Sequence, residues 1–155
     1  MVNDGDAAPD FTLPADDGRA IQLKTLRGKT VVLYFYPKDD TPGCTQQAKS
    51  FSCLVGEFHK AGALVIGVSP EGTKSHQKFK AKHALAFDLL ADEDKIAAER
   101  YGTWVEKSMY GKKYMGVERS TFLIDKSGKV AKSWRKVKVP GHAEEVLAEV
   151  KALKA

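Results

Sequence analysis

The run TVVLYFYP at residues 30–37 is the feature that most constrains the fold. It is β-branched and aromatic with almost no polar alternation, which is typical of a central strand covered on both faces. A helix is expected just after it, with Thr41 as the N-cap and Pro42 at the first helical position. A second apolar run, at residues 61–69, predicts another buried strand. Strand, crossover helix and strand make a right-handed βαβ unit.

The remaining segments predict helices on a mixed sheet. Short extended pieces at 10–13 and 20–23 form an N-terminal β extension, separated by the turn PADDG. Further elements are predicted as follows: a helix at 73–83 capped by Thr73 or Ser75, a short strand at 87–92, a helix at 92–102, a hairpin across 119–134, and a helix at 141–153 with Ala143, Val146, Leu147, Val150 and Leu153 on its buried face. This order predicts one α/β domain over residues 1–155, of which a thioredoxin-like fold is the natural example.

Composition narrows the function classes. The net charge is +5, but the lysines are scattered, so we expect a solvated surface and no nucleic-acid or membrane partner. No apolar run reaches the length of a membrane span, and the N-terminus has no signal-peptide pattern, so a cytoplasmic protein is expected. Two cysteines in 155 residues indicate reactive thiol chemistry rather than a disulfide framework.

Cys44 is the candidate nucleophile. Free N–H groups at a helix N-terminus, together with the helix dipole, favour the thiolate form of a cysteine placed there. Thr41 lies one turn upstream and can direct its hydroxyl at the sulfur, while Pro42 can pack over it. Of the arginines, Arg119 stands out because it opens the apolar strand STFLI, and a strand end faces the crevice where ligands bind. The alternatives are an inert buried cysteine and an ordinary surface arginine.

The segments YFYPKDDTPGCT and GVERSTFLID closely resemble the peroxiredoxins, in particular their bacterioferritin-comigratory or peroxiredoxin Q branch. The resemblance extends over essentially the whole chain, and the P-x-x-x-T-x-x-C pattern stands here as Pro37, Thr41 and Cys44. It implies that Cys44 is the peroxidatic cysteine and Arg119 the active-site arginine. It also implies that Thr41 is the hydroxyl partner, and that Pro37, Pro42 and Gly43 shape the substrate pocket.

The implied activity is a thiol-dependent peroxidase for hydrogen peroxide and organic hydroperoxides, with a sulfenic acid formed on Cys44. Its partners would be peroxides and thioredoxin or another thiol reductant, and its assembly a monomer or weak homodimer. No cofactor or metal is expected. The four histidines show no ligand spacing and are expected at the surface or at helix caps: His59, His76, His83 and His142.

Cys53 is the one other thiol, and its role is left open. In relatives of this branch, as the resemblance implies, a resolving cysteine lies five residues after the peroxidatic one or in a later helix, where Lys49 and Lys80 stand here. Nine helical residues would place Cys53 about 13.5 Å along the axis from Cys44 and on the opposite side. A disulfide needs Cα atoms within roughly 7 Å. Cys53 is therefore a bystander, a resolving thiol after local unwinding, or a link between subunits.

Two other functions compete with peroxidase activity. A thioredoxin-like disulfide reductase would normally carry a C-x-x-C motif, whereas Thr45, Gln46 and Gln47 follow Cys44. A chaperone or binding module on the same scaffold would use its lysines to contact acidic partners. Loss of peroxide consumption in Cys44→Ser separates the peroxidase from the binding module.

Overall fold

In the computed structural model, which describes residues 2–154, strands and helices alternate along the chain. The elements are β1 (Thr12–Pro14), β2 (Ala20–Gln22), a 3-10 turn (Leu23–Leu26), β3 (Thr30–Phe35), α1 (Pro42–Cys53), α2 (Val55–Lys60), β4 (Ala63–Ser69), α3 (Thr73–His83), β5 (Asp88–Ala91), α4 (Ile96–Arg100), β6 (Trp104–Met109), β7 (Lys112–Val117), β8 (Ser120–Ile124), β9 (Val130–Trp134) and α5 (His142–Lys154).

Five strands form the central sheet, in the order β5-β4-β3-β8-β9. β3, β4 and β5 run parallel, whereas β8 and β9 are antiparallel to their neighbours, so the sheet is mixed as predicted. In the β3–β8 pair Phe35 lies opposite Ser120. This register brings the start of β8 beside the end of β3, which is where the chain turns into α1.

Both faces of β3 are covered. Val31, Leu33 and Phe35 belong to one apolar core, and Val32 and Tyr34 belong to a second core on the opposite face. All six residues of the strand are buried, which explains why the run lacks the polar alternation of a half-exposed strand. The second core also contains Cys44, Ala48, Phe51 and Phe58.

The predicted N-terminal extension is present as an antiparallel pair, with Leu13 opposite Ile21. It contacts the edge of the central sheet through a bridge between Ala15 and Leu90 of β5. The hairpin predicted across 119–134 is the antiparallel pair β8–β9. A helix near 92–102 is also present but short, and the Asp92 carboxylate accepts hydrogen bonds from the N–H groups of Ala97 and Ala98.

A second hairpin, β6–β7, was not predicted from the sequence. Its strands pair from Trp104 opposite Val117 to Met109 opposite Lys112. The two-residue turn Tyr110-Gly111 has positive φ at both positions, which matches the twist that tight hairpins need. Few of its side chains are buried, so the alternation of apolar and polar residues that reveals a strand is weak here.

Several local predictions were wrong. The N-cap of α3 is Gly72 rather than Thr73 or Ser75, and no side chain caps that end. Leu153 is 41% exposed, although the rest of its predicted helix face is buried. His76 and His142 were expected at the surface or at helix caps; both are buried with a polar partner inside the protein, and His142 is the first residue of α5.

Candidate active site

Cys44 is the third residue of α1, and the helix begins where the sequence predicted. Thr41 is the N-cap with extended backbone, Pro42 occupies the first position, and the Thr41 carbonyl accepts the first helical hydrogen bond from the N–H of Thr45. The Cys44 side chain is only 2% exposed and belongs to the core beneath α1. The sulfur therefore lies in the first turn of a helix yet is shielded from bulk water.

Arg119 is brought to this sulfur by the sheet register. It immediately precedes β8, whose first residue pairs with Phe35 at the end of β3. Its Nη2 donates to Cys44 Sγ at 3.3 Å. A guanidinium is always charged at physiological pH, and a charged donor at this position favours the negatively charged sulfur. The geometry thus joins two of the residues that the sequence proposed.

Gln47 is a site residue that the sequence analysis missed. It lies one turn after Cys44, is 1% exposed, and its Oε1 accepts a 2.6 Å hydrogen bond from Arg119 Nη1. The guanidinium is thereby held on two sides, by Sγ and by the amide. Gln47 Nε2 has no hydrogen-bond partner among residues 2–154. The spacing of three residues from Cys44 on a helix was the available signal.

The other predicted residues surround this pair in different ways. Gly43 passes close to the arginine, since a Cβ built there would lie 3.2 Å from Arg119 Nη2. The Thr41 hydroxyl donates to the Lys38 carbonyl at 3.1 Å, so it is occupied with its own loop in this state. Pro37 is half-buried between β3 and the loop, whereas Pro42 is exposed and a large part of its ring faces outward.

Lys107 of β6 adds a second positive charge to the surroundings of the site. The pKa of Lys107 is lowered, first by partial burial and then by repulsion from Arg119, while the negative charges that Cys44 and Glu118 can carry oppose that shift. The unpredicted hairpin therefore contributes a lysine to the electrostatic surroundings of Cys44. We find no group of three or more metal-binding side chains anywhere in residues 2–154.

Cys53 is the last residue of α1 and is exposed, whereas Cys44 near the other end is buried. It lines an open groove on the outer side of the helix together with Asp40, Pro42, Thr45, Gln46, Lys49 and Ser50. Both sulfurs are free thiols. The unbroken helix between them agrees with the predicted separation, so the folded state does not allow a direct bond between the two.

Comparison with known proteins identifies the family of this chain. The AhpC/TSA family matches residues 5–133. The chain belongs to this family. Among curated relatives, peroxiredoxin Bcp of Bacillus subtilis is 50% identical over 95% of this chain and 94% of its own length. A putative peroxiredoxin of Coxiella burnetii is 51% identical over 94% of this chain and 97% of its own.

Solved structures give the same result for the fold. Peroxiredoxin Q of Xanthomonas campestris superimposes with a TM-score of 0.90 at 46% identity, covering 94% of this chain and 92% of that one. A second structure from that organism, of a bacterioferritin comigratory protein studied for alkyl peroxide reduction, gives the same values. The thioredoxin-like fold of a peroxiredoxin is thus confirmed for this chain, and with it a thiol-dependent peroxidase function. No helix within residues 2–154 has the length and apolar character needed to cross a membrane.

Proposed function

We propose that this thiol-dependent peroxidase acts through Cys44 on hydrogen peroxide and organic hydroperoxides. The observation that carries the assignment is the 3.3 Å contact between Arg119 Nη2 and the buried Sγ. A charged donor on a shielded sulfur, in the first turn of a helix, is the arrangement needed to keep a thiolate ready for attack. The alkyl peroxide activity studied in the Xanthomonas campestris relative supports organic hydroperoxides as one substrate class.

The reaction is a displacement at one peroxide oxygen. The Cys44 thiolate forms a bond to the near oxygen while the O–O bond breaks, and the departing oxygen leaves with the bonding electron pair. Sulfur is oxidised to the sulfenic acid, and the peroxide is reduced to an alcohol or water after the departing oxygen takes a proton. Arg119 is placed to stabilise the charge on that oxygen, as preorganised donors do in an oxyanion hole.

Thr41, Gly43 and the two prolines have supporting roles in this proposal. Thr41 occupies the N-cap position of the helix that carries Cys44 without a side-chain capping bond, so its hydroxyl can exchange the Lys38 carbonyl for a peroxide oxygen when substrate enters. Gly43 leaves room for the guanidinium beside the sulfur. Pro37 and Pro42 fix the backbone on either side of the loop between β3 and α1, because the proline ring restricts φ.

The sulfenic acid must be returned to the thiol by an external reductant. Cys53 is too distant in the folded helix, so we propose thioredoxin or another thiol donor as the partner, with Cys53 resolving only if α1 unwinds. The proposed working form is a monomer or weak homodimer without nucleic-acid or membrane partners. Since thiol donors are kept reduced in the cytoplasm, we place the cycle there.

Intact mass after one equivalent of peroxide tests the assignment. Wild-type protein should gain one oxygen, Cys53→Ser should gain the same oxygen at the same rate, and Cys44→Ser should gain none. Consumption of peroxide by Cys44→Ser at a substantial fraction of the wild-type rate would refute the role of Cys44. A mass loss of two hydrogens in wild type, absent from Cys53→Ser, would instead show that Cys53 forms a disulfide.

A further inference from the structure

A buried polar cluster connects the loop before Cys44 to helix α3. Asp39 accepts hydrogen bonds from the hydroxyl groups of Tyr36 at 2.6 Å and of Ser75 at 2.7 Å. Its Oδ2 also lies 2.7 Å from His76 Nδ1. The side chains of His76 and Asp39 are 0% and 4% exposed. Neither residue has a part in the chemistry described above.

The surroundings of His76 determine its protonation. Nδ1 faces the Asp39 carboxylate, and Nε2 faces the backbone carbonyl of Leu90 in β5 at 2.9 Å. Both partners are acceptors only, and a neutral imidazole has one N–H to offer them. The neutral form would leave a buried lone pair against an acceptor, which is costly. The geometry therefore favours a ring with a proton on each nitrogen, paired with the Asp39 carboxylate.

The other groups that face this ring do not change that conclusion. Burial raises the pKa of Asp39, but hydrogen bonds from His76, Tyr36 and Ser75 outweigh it, so the net pKa is lowered. The Tyr36 pKa is raised well above 10.0, mainly by burial and then by Tyr34 and Asp39, so Tyr36 stays a neutral donor. The Tyr36 hydroxyl lies 3.5 Å from His76 Nδ1, Ser75 of α3 donates to the Asp39 carboxylate, and β5 presents a main-chain carbonyl to Nε2.

We propose that Asp39 is a positioning residue for the Cys44 reaction, held in place by the His76 cation. The inference rests on the proposed function of Cys44. Asp39 precedes Asp40, whose φ of 58° is in the left-handed region that side-chain-bearing residues rarely adopt. Two residues after Asp39, Thr41 is the N-cap of α1. A strained loop residue persists only where its neighbours are firmly anchored, and Asp39 supplies that anchor on the buried side.

On the outer side of the loop, Asp40 makes a weaker and more exposed contact with α3 than Asp39 does. Asp40 pairs with Lys82 at 2.7 Å and with His83 at 2.9 Å, both also on α3. The Asp40 side chain is 43% exposed, so solvent screens this pair. Asp39 and Asp40 thus both contact α3 from one loop, but only the Asp39 contact depends on a proton of a buried side chain, that of His76.

The His76 ring with a proton on each nitrogen satisfies both acceptors, so the anchor is complete while both protons are present and weakens when one is lost. Asp39→Asn offers a matched comparison, because its amide can donate to Nδ1 of a neutral ring while Nε2–H still donates to Leu90. That variant should keep the anchor without needing the second proton.

Nitrogen-15 NMR of the imidazole in the reduced protein tests the protonation directly, with His76→Asn used to assign the signal. Both ring nitrogens should carry protons at neutral pH in wild type, and only one should in Asp39→Asn. A single neutral tautomer in wild type at neutral pH would overturn the proposal. This readout needs no peroxide, so it stands whether or not Cys44 is the peroxidatic residue.

Hydrogen exchange of the amides of residues 38–45 tests the anchoring, with rates corrected for the intrinsic effect of pH. Loss of a hydrogen bond to a buried charge should speed exchange in His76→Asn by about 10- to 100-fold. His83→Asn, on the same helix but at the exposed pair, should stay near wild type. Exchange in His76→Asn that is no faster than in His83→Asn would refute the anchor.

The pH profile of the reaction between Cys44 and peroxide tests the link to chemistry. The ratio of the wild-type rate to that of Asp39→Asn should fall over the pH range in which NMR shows the wild-type ring losing one of its two protons. A constant ratio would show that Asp39 serves the fold alone and would overturn the positioning role. If neither protein consumed peroxide, the proposed function would fail, while the NMR and exchange results would still report on the ion pair.

Discussion

Arg119 Nη2 lies 3.3 Å from Cys44 Sγ, although 75 residues separate the two in the chain. The contact exists because β8 runs antiparallel to β3, so that its first residue lies beside the end of the strand that leads into α1. Arg119 is half-buried, and its guanidinium donates to Cys44 Sγ and to Gln47 Oε1. A cation fixed in this way can act on the developing charge without first reorganising.

Replacing Arg119 with alanine is expected to slow the reaction of Cys44 with peroxide by about a hundredfold. Removal of one preorganised donor raises a barrier by roughly 3 kcal/mol. The rate should be measured by rapid mixing under single-turnover conditions. Arg119→Lys should recover only part of it, because a lysine cannot contact Sγ and Gln47 through one planar group. Full activity in the alanine variant would contradict the role.

Gln47→Ala is expected to slow the same step by roughly tenfold, because the arginine loses the acceptor that fixes its orientation. The neighbouring Gln46→Ala provides the control, since Gln46 is exposed and should be silent. Stability should be followed in parallel by denaturant unfolding. A rate loss that merely tracks the loss of folded protein would argue against a positioning role for Gln47.

Gly43→Ala is expected to displace the guanidinium, since the added methyl group would lie 3.2 Å from Nη2. A shift of a few tenths of an ångström should lower the single-turnover rate by about tenfold while the fold is retained. Gly56→Ala is the matched control, because a Cβ there has no neighbour within 4 Å. Equal rates in both variants would show that the space beside Gly43 is not needed.

Cys53→Ser is expected to turn over with a small thiol reductant as fast as wild type. For Cys53 to reach Cys44, α1 must open and expose Phe51. This side chain is fully buried, and its ring stacks on Tyr34 with 4.9 Å between the ring centroids. Removing a side chain of that size from burial costs about 1.5–3 kcal/mol before the helix itself is lost. Steady-state turnover and a peptide map of the oxidised protein measure this. A variant that reacts once and then stalls with thioredoxin would make Cys53 a resolving residue.

The sequence predicted the parts of the site that local chain geometry determines. The start of α1 at Thr41 and Pro42, with Cys44 in the first turn, was predicted from helix-start preferences, and the structure places it so, although the Thr41 hydroxyl makes no capping bond and donates to Lys38 instead. Arg119 needed a further argument, because its approach depends on which strands pair. Gln47 was missed because the side chain that faces the arginine is decided by packing, not by composition.

His76 and the β6–β7 hairpin show the opposite case. A histidine within a lysine-rich helix is typical of a surface residue, and only the tertiary fold reveals that its ring lies between Asp39 and Leu90. The hairpin exposes Met109, Tyr110, Tyr114 and Met115, so its sequence lacks the buried alternation from which strands are recognised. Long-range contacts set both features, and a single sequence does not display them.

Because the two thiols differ in exposure, the size of a reagent decides which of them it can reach. Cys44 is 2% exposed, so a molecule as small as a peroxide can reach its sulfur more readily than a bulky alkylating dye. Cys53 is exposed to both. Large thiol probes will therefore report the residue at the end of α1 and overlook the one at its start. In this protein the more easily labelled cysteine is not the one proposed to react with peroxide.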